Sequence, residues 1–255
     1  ISRGHAKNTL GQYEKAIADY DQAIQLWPDS AYTYISRGDA KANLGQYEAA
    51  FADYDEAIRL RPNEAYVYYR RGNAKIELGQ YEEAIADFDQ AVWLEPDDAY
   101  AYYSRGIVKF TLGRYRGAIV DLDQALLLEP DDAYAYYSRG LAKASLGLYE
   151  EAIADYSQAA RLEFNDASVY YSRGAARTEL GQYEEAIADF VQAVRLELDD
   201  ASAHNGRGAA KLELGQYEEA IADLEIALEV ARELTGDSDL ITFIEGKIEE
   251  LEQDE

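Results

Sequence analysis

The sequence predicts an all-α array of stacked helix pairs, and three observations carry that prediction. A Leu-Gly dipeptide recurs every 34 residues, at 10–11, 44–45, 78–79, 112–113, 146–147, 180–181 and 214–215. Between these markers apolar side chains return at three- and four-residue spacing, the period of a half-buried helix. Helix caps and breakers fall at matching places from copy to copy.

Registering on the glycines gives a truncated copy at 1–30, then repeats 31–64, 65–98, 99–132, 133–166, 167–200 and 201–234. The array therefore spans 1–234, and a tail covers 235–255. The first helix of a unit is typified by 99–112, and Gly113 after it suits a left-handed C-terminal cap. Glu82 and Glu83 open a second helix, where negative charge complements the dipole. Pro28, Pro62, Pro96 and Pro130 end that helix in the first four copies. Phe164, Leu198 and Arg232 replace the proline later, so looser turns or longer helices are expected there. Asp131 and Asp132 are N-cap residue types placed just before the next first helix.

Gly4, Gly38, Gly72, Gly106, Gly140, Gly174 and Gly208 stand inside the first helices. Each costs roughly 0.5–1 kcal/mol against alanine, so close contact with a neighbouring helix must offset it. The alanine columns running from Ala16 to Ala220 and from Ala23 to Ala227 are expected to supply the facing surface. In the tail, Leu240, Ile241, Ile244, Ile248 and Leu251 form one apolar stripe, which predicts a capping helix over roughly 238–252.

The units resemble tetratricopeptide repeats: 34 residues, a small residue in the first helix, a Leu-Gly-x-Tyr turn, Ala-x3-Tyr/Phe, Ala and a closing Pro. The resemblance covers 1–234 and implies a right-handed superhelical solenoid of antiparallel helix pairs, with a concave groove lined by the first helices. Two columns depart from the family pattern. Arg3, Arg37, Arg71, Arg105, Arg139, Arg173 and Arg207 stand where leucine is usual, and Lys7, Lys41, Lys75, Lys109, Lys143, Arg177 and Lys211 follow four residues later. On the second helix Asp19, Asp53, Asp87, Asp121, Asp155, Asp189 and Asp223 repeat as strictly. A hairpin turn near Gly113 sets Arg105 level with Asp121, which predicts an Arg–Asp bridge within each unit or to its neighbour. The competing reading is a basic stripe for an acidic ligand.

Composition narrows the function. The 255 residues carry 50 acidic and 24 basic side chains, a net charge of −26. Nucleic acid and anionic membranes are poor partners for such a chain. There is no cysteine, no membrane-length apolar run, and only His5 and His204 as imidazoles, so neither a metal centre nor a cofactor is expected. Paired acids such as Asp97-Asp98 read as helix caps, the calcium-loop pattern is missing, and no catalytic set emerges. The chain opens at Ile1 inside a repeat and contains no methionine, so the natural N-terminus is expected to be missing, or the chain trimmed or designed. Copies this similar fit recent duplication, a thermophilic source or consensus design alike.

All 23 tyrosines fall in five repeat columns. Fifteen read as structural: the seven of the turn column, the Tyr102 column, and Tyr20, Tyr54 and Tyr156 on second helices. The resemblance points the other two columns into the groove: Tyr32, Tyr66, Tyr100 and Tyr134, with Tyr69, Tyr103, Tyr137 and Tyr171. Asn73, Ile107, Phe110 and Leu141 lie further along the same helical face. The candidate peptide-binding groove is therefore Tyr66, Tyr69, Asn73, Tyr100, Tyr103, Ile107, Phe110, Tyr134, Tyr137, Leu141 and Tyr171. Mutual stacking of the tyrosines is the competing reading. Some family members clamp a C-terminal carboxylate with Lys and Asn, and others carry an asparagine ladder. Here only Arg70 and Asn73 suggest the first and scattered Asn8, Asn73 and Asn205 the second, so neither function carries over.

Repeat 99–132 is one of the least acidic, at −1, helped by Arg114 and Arg116. Leu126 and Leu127 are expected on its outer face, where Trp93 and Leu127 would either form a self-association patch or tuck against the next helix. The expected function is a non-enzymatic cytoplasmic scaffold for a protein or peptide that is neutral to basic and partly apolar. The alternative is a self-assembling or designed solenoid with no dedicated ligand.

Overall fold

The computed structural model describes residues 2–162, 166–197 and 201–253. Every regular element among them is helical. The first seven hairpins pair α1 (Ser2–Thr9) with α2 (Tyr13–Leu26), α3 (Ala31–Asn43) with α4 (Tyr47–Leu60), α5 (Ala65–Glu77) with α6 (Tyr81–Leu94), α7 (Ala99–Thr111) with α8 (Tyr115–Leu128), α9 (Ala133–Ala144) with α10 (Tyr149–Arg161), α11 (Ala167–Glu179) with α12 (Tyr183–Leu196), and α13 (Ala201–Glu213) with α14 (Tyr217–Val230). A π-helical turn, Ala231–Thr235, and α15 (Ser238–Gln253) follow. The chain divides into two compact units, 1–130 and 131–255. No described helix is long and apolar enough to cross a membrane.

The turn chemistry explains the hairpins. Gly113 takes φ 71°, a left-handed conformation that a side chain disfavours. There the Arg114 N–H donates to the Lys109 carbonyl and the Gly113 N–H to that of Phe110, each at 2.8 Å, which closes the end of α7. At the next unit Asp132 caps α9 by accepting from the amides of Tyr134 and Ala135 at 2.9 and 3.1 Å. Second helices stop two residues before Pro28, Pro62, Pro96 and Pro130. Without that proline α12 ends in the same register at Leu196 and α10 one residue earlier, at Arg161, while α14 runs on into the π-helical turn. Phe164 and Leu198 themselves lie outside the described residues.

The helix glycines do mark close approach, chiefly to a different surface from the one expected, although a Cβ on Gly106 or Gly208 would also meet the carbonyl oxygen of Ala118 or Ala220 at 3.4 or 3.2 Å. A Cβ on Gly72 would meet the Phe88 ring at 2.9 Å, and one on Gly38 the Tyr54 ring at 2.8 Å. The contacting column is thus Tyr20, Tyr54, Phe88, Leu122, Tyr156, Phe190 and Leu224, all buried on second helices. Both alanine columns are buried as well, four residues before and three after these rings. A large side chain this close to a helix backbone needs the space that glycine leaves, whereas alanine fills the shallower contacts beside it. In the second unit α15 covers the last hairpin: fully buried Ile244 packs with Leu224 and Ala227, and Leu240, Ile248 and Leu251 flank it.

Candidate functional site

The first helices are held in place by an ionic ladder. In the first unit Arg105 donates from Nε and Nη2 to the two oxygens of Asp121, at 2.9 and 2.6 Å. Lys109 adds a third contact to Asp121 at 2.7 Å, and Arg105 Nη1 reaches Asp89 of the preceding repeat at 2.7 Å. The predicted bridge is thus the one within the unit; the contact to the preceding repeat uses Asp89, two residues beyond the predicted aspartate column. The same Arg–Asp pair recurs at Arg37–Asp53 and Arg71–Asp87, and in the second unit at Arg139–Asp155, Arg173–Asp189 and Arg207–Asp223. Asp121 is only 2% exposed, so two cations offset the cost of burying its charge. These arginines and lysines are committed to the scaffold, which favours the structural reading over a basic stripe.

The ladder also sorts the tyrosine columns. Tyr34, Tyr68 and Tyr102 lie under Arg37, Arg71 and Arg105 at 5.4–5.7 Å, and Tyr136 and Tyr170 repeat this in the second unit. Tyr69 is half-buried, its ring 6.0 Å from that of Phe88; Tyr137 and Tyr171 stand at 5.9 and 5.8 Å from Tyr156 and Phe190. Tyr103 is half-buried too, as are Asn73, Ile107, Phe110 and Leu141. The column one turn earlier differs. In the first unit Tyr32, Tyr66 and Tyr100 are 57%, 46% and 60% exposed, on the successive first helices α3, α5 and α7. In the second unit Tyr134 on α9 is 61% exposed, and serines at 168 and 202 continue its column.

The first unit holds a polar centre that sequence reading missed. Arg70 Nε donates to Asp39 at 2.8 Å, and the hydroxyl of fully buried Tyr54 donates to the same oxygen at 2.9 Å. Burial pushes the Tyr54 hydroxyl far above its ordinary pKa, and the Asp39 charge adds to this. Burial opposes the Arg70 charge, but Asp39 outweighs it and the guanidinium is held above its ordinary range. Arg70 also lies 5.8 Å from the Tyr66 ring. Beside it is a cavity of about 370 Å³, lined by residues of α3, α4 and α5 that include Asn43, Asn73 and Glu77. The available signal was departure from the repeat: the other copies place serine or glycine at the Arg70 position.

On the first unit Trp93 and Leu127 are 74% and 72% exposed, and Val120 on α8 is exposed too. Leu126 is buried and joins the core, contrary to the outer-face expectation, because it stands about 100° round α8 from Leu127, on the inward face.

With this geometry in hand, the comparisons place the chain. A model described as TPR repeat matches 4–45, 38–75, 72–113, 108–147, 140–177 and 174–215, and one described as Tetratricopeptide repeat matches 201–234. The chain belongs to the tetratricopeptide repeat family. No curated protein matches it. Among solved structures, the C-terminal part of a TPR repeat-containing protein from Cytophaga hutchinsonii is 16% identical, covers 94% of this chain and 98% of its own, and has a TM-score of 0.77. YrrB, described as a TPR protein with an unusual peptide-binding site, is 24% identical over 72% of this chain and 95% of its own, at TM-score 0.65. MamA is 28% identical over 68% and 95%, at TM-score 0.64. The first two likenesses show the fold. Chains of this family are generally scaffolds for protein interaction rather than enzymes.

Proposed function

We propose that this chain is a non-enzymatic scaffold that binds a peptide or protein segment on the tyrosine-bearing face of its first helices. The observation that carries the reading is the exposed column Tyr32, Tyr66 and Tyr100. The Tyr102 column lies under arginines, and Tyr69, Tyr137 and Tyr171 stand against second-helix rings; Tyr66, although 5.8 Å from Arg70, and Tyr32, 5.3 Å from the His5 ring, stay 46% and 57% exposed. A column left half in water on adjacent helices offers large, rigid contact area and a hydroxyl at each step. Tyr69, Asn73, Tyr103, Ile107 and Phe110 extend this face in the first unit, and Tyr134, Tyr137, Leu141 and Tyr171 supply its counterpart in the second. YrrB, with its peptide-binding site, gives a precedent for such use of the fold. The −26 charge suits a neutral to basic segment.

The test is selection of a displayed random-peptide library on the whole chain, then titration of an enriched peptide. The Tyr66→Ala/Tyr100→Ala double variant should bind at least about tenfold more weakly while its helicity is unchanged. Equal affinity of the variant and the parent chain overturns the reading. Exposed Trp93 and Leu127 support a second reading, self-association through the outer face. Light scattering over a dilution series decides it: growth in mass with concentration, lost in Trp93→Glu, supports that reading, and constant mass overturns it.

A further inference from the structure

We propose that the cavity beside Arg70 is a pocket for a basic side chain, lysine or arginine, of the segment bound along α5. The inference rests on the tyrosine-face reading and adds the chemistry of one anchor.

A repeat array supplies its own control. What stacking requires of every hairpin recurs from copy to copy, so a charge found in one copy alone is set by the surroundings of that copy. The Arg70 column reads Ser2, Ser36, Ser104, Ser138, Ser172 and Gly206 elsewhere, and the Asp39 column reads His5, Asn73, Ile107, Leu141, Ala175 and Ala209. The other copies stack without either charge; in this one Asp39 also accepts from the buried Tyr54 hydroxyl. Yet Arg70 and Asp39 are 30% and 14% exposed, a placement that costs desolvation on both sides. Arg70, held by Asp39, lines a cavity of about 370 Å³, within the ~300–1,000 Å³ span of small-ligand pockets.

The charges decide what enters. The Arg70 guanidinium is answered by Asp39 at 2.8 Å, so it offers an incoming anion little net attraction. Glu77, at the rim, makes no ion pair among the described residues. Asn43 and Asn73 add amide oxygens, which accept hydrogen bonds from an ammonium or guanidinium. The field of a chain with 26 excess negative charges has the same sign. The pocket is also continuous with the tyrosine face. Tyr66, Arg70, Asn73 and Glu77 follow one another at spacings of four, three and four residues, so they share one stripe of α5. A segment lying over Tyr66 passes directly to the cavity.

The experiment uses the whole chain and a peptide enriched from a displayed random library. The enriched sequences should share a lysine or arginine. Its replacement by alanine should weaken binding to the parent chain by about tenfold, the scale of a hydrogen-bonded charge contact. On the Glu77→Gln variant the same replacement should cost less than about twofold, because the partner charge is gone. Glu77 is exposed, so that variant keeps its fold. Three outcomes overturn the proposal. Capture that depends on Tyr66 and Tyr100 but needs no basic residue removes the pocket and leaves the tyrosine face. Capture that needs an acidic residue and is lost in Arg70→Ser, which restores the column's usual residue, identifies an anion site instead. Capture indifferent to both tyrosines, or none, removes both readings.

Discussion

At Gly38 an added Cβ would stand 2.8 Å from the ring of Tyr54, whereas at Gly246 in α15 nothing lies within 4 Å. Alanine gains up to about 1 kcal/mol over glycine in a helix interior, wherever its methyl finds room. Gly246→Ala should therefore raise the urea midpoint, by the equivalent of about 0.5–1 kcal/mol. Gly38→Ala should lower it, because displacing a packed ring costs about 1–3 kcal/mol and outweighs the propensity gain. Opposite signs for one substitution separate packing from propensity, and a gain at Gly38 would contradict the contact. The glycine column was legible as a place of close approach, but its contact was not. Ala16, Tyr20 and Ala23 lie on one face of α2, and helical periodicity cannot say which of three neighbours touches the glycine. The Arg70–Asp39 pair was illegible for another reason: its members sit 31 residues apart in different repeats, and each is an exception in its own column.

At the scale of the element, one carboxylate joins each hairpin, and an aspartate side chain starts the first helices α7, α9 and α11. Asp121 holds Arg105 and Lys109, and the three side chains are 2%, 13% and 22% exposed. Asp121→Ala strands both cations on α7, so the loss should approach the roughly 3–5 kcal/mol of a broken buried pair, lessened by the Asp89 contact that remains to Arg105. The cap at Asp98 accepts from the amides of Tyr100 and Ala101, and Asp98→Ala should cost about 0.5–2 kcal/mol. Glu64, at the matching place before α5, makes no capping bond, and Glu64→Ala should change little. Chemical denaturation of the three variants checks the order. Helix limits, turns and the Arg–Asp bridge were readable because each rests on local chemistry repeated at fixed spacing. The exposure of Tyr66 and Tyr100 against the half-buried Tyr69 was not, since both columns belong to one helical face and only the neighbouring rings of the second helices divide them.

Charge belongs to the whole molecule. Fourteen of the 24 basic residues stand in the two ladder columns, so the remaining surface is more acidic than the net −26 suggests. Repulsion among exposed carboxylates opposes the compact state, and screening relieves it. At pH 7 the urea midpoint should rise as salt increases from about 20 mM to about 500 mM, over which the screening length falls below ~5 Å. Acid acts through the ladder instead. Hydrogen bonds from Arg3 and then Lys7 lower the Asp19 pKa to about 2, and burial of Asp223 is outweighed by Arg207 and Lys211, so its pKa is lowered too. A carboxylate whose folded pKa is depressed binds fewer protons in the native state than in the unfolded one. Its stabilisation is full above the unfolded value of ~3.9 and is lost as pH falls toward the folded one. The midpoint should therefore drop between about pH 4 and pH 2, and added salt should not restore it, because Asp223 and its two cations are largely shielded from solvent. Equal rescue by salt at pH 7 and pH 3 would assign both limbs to surface repulsion and leave the ladder without a measurable part in stability.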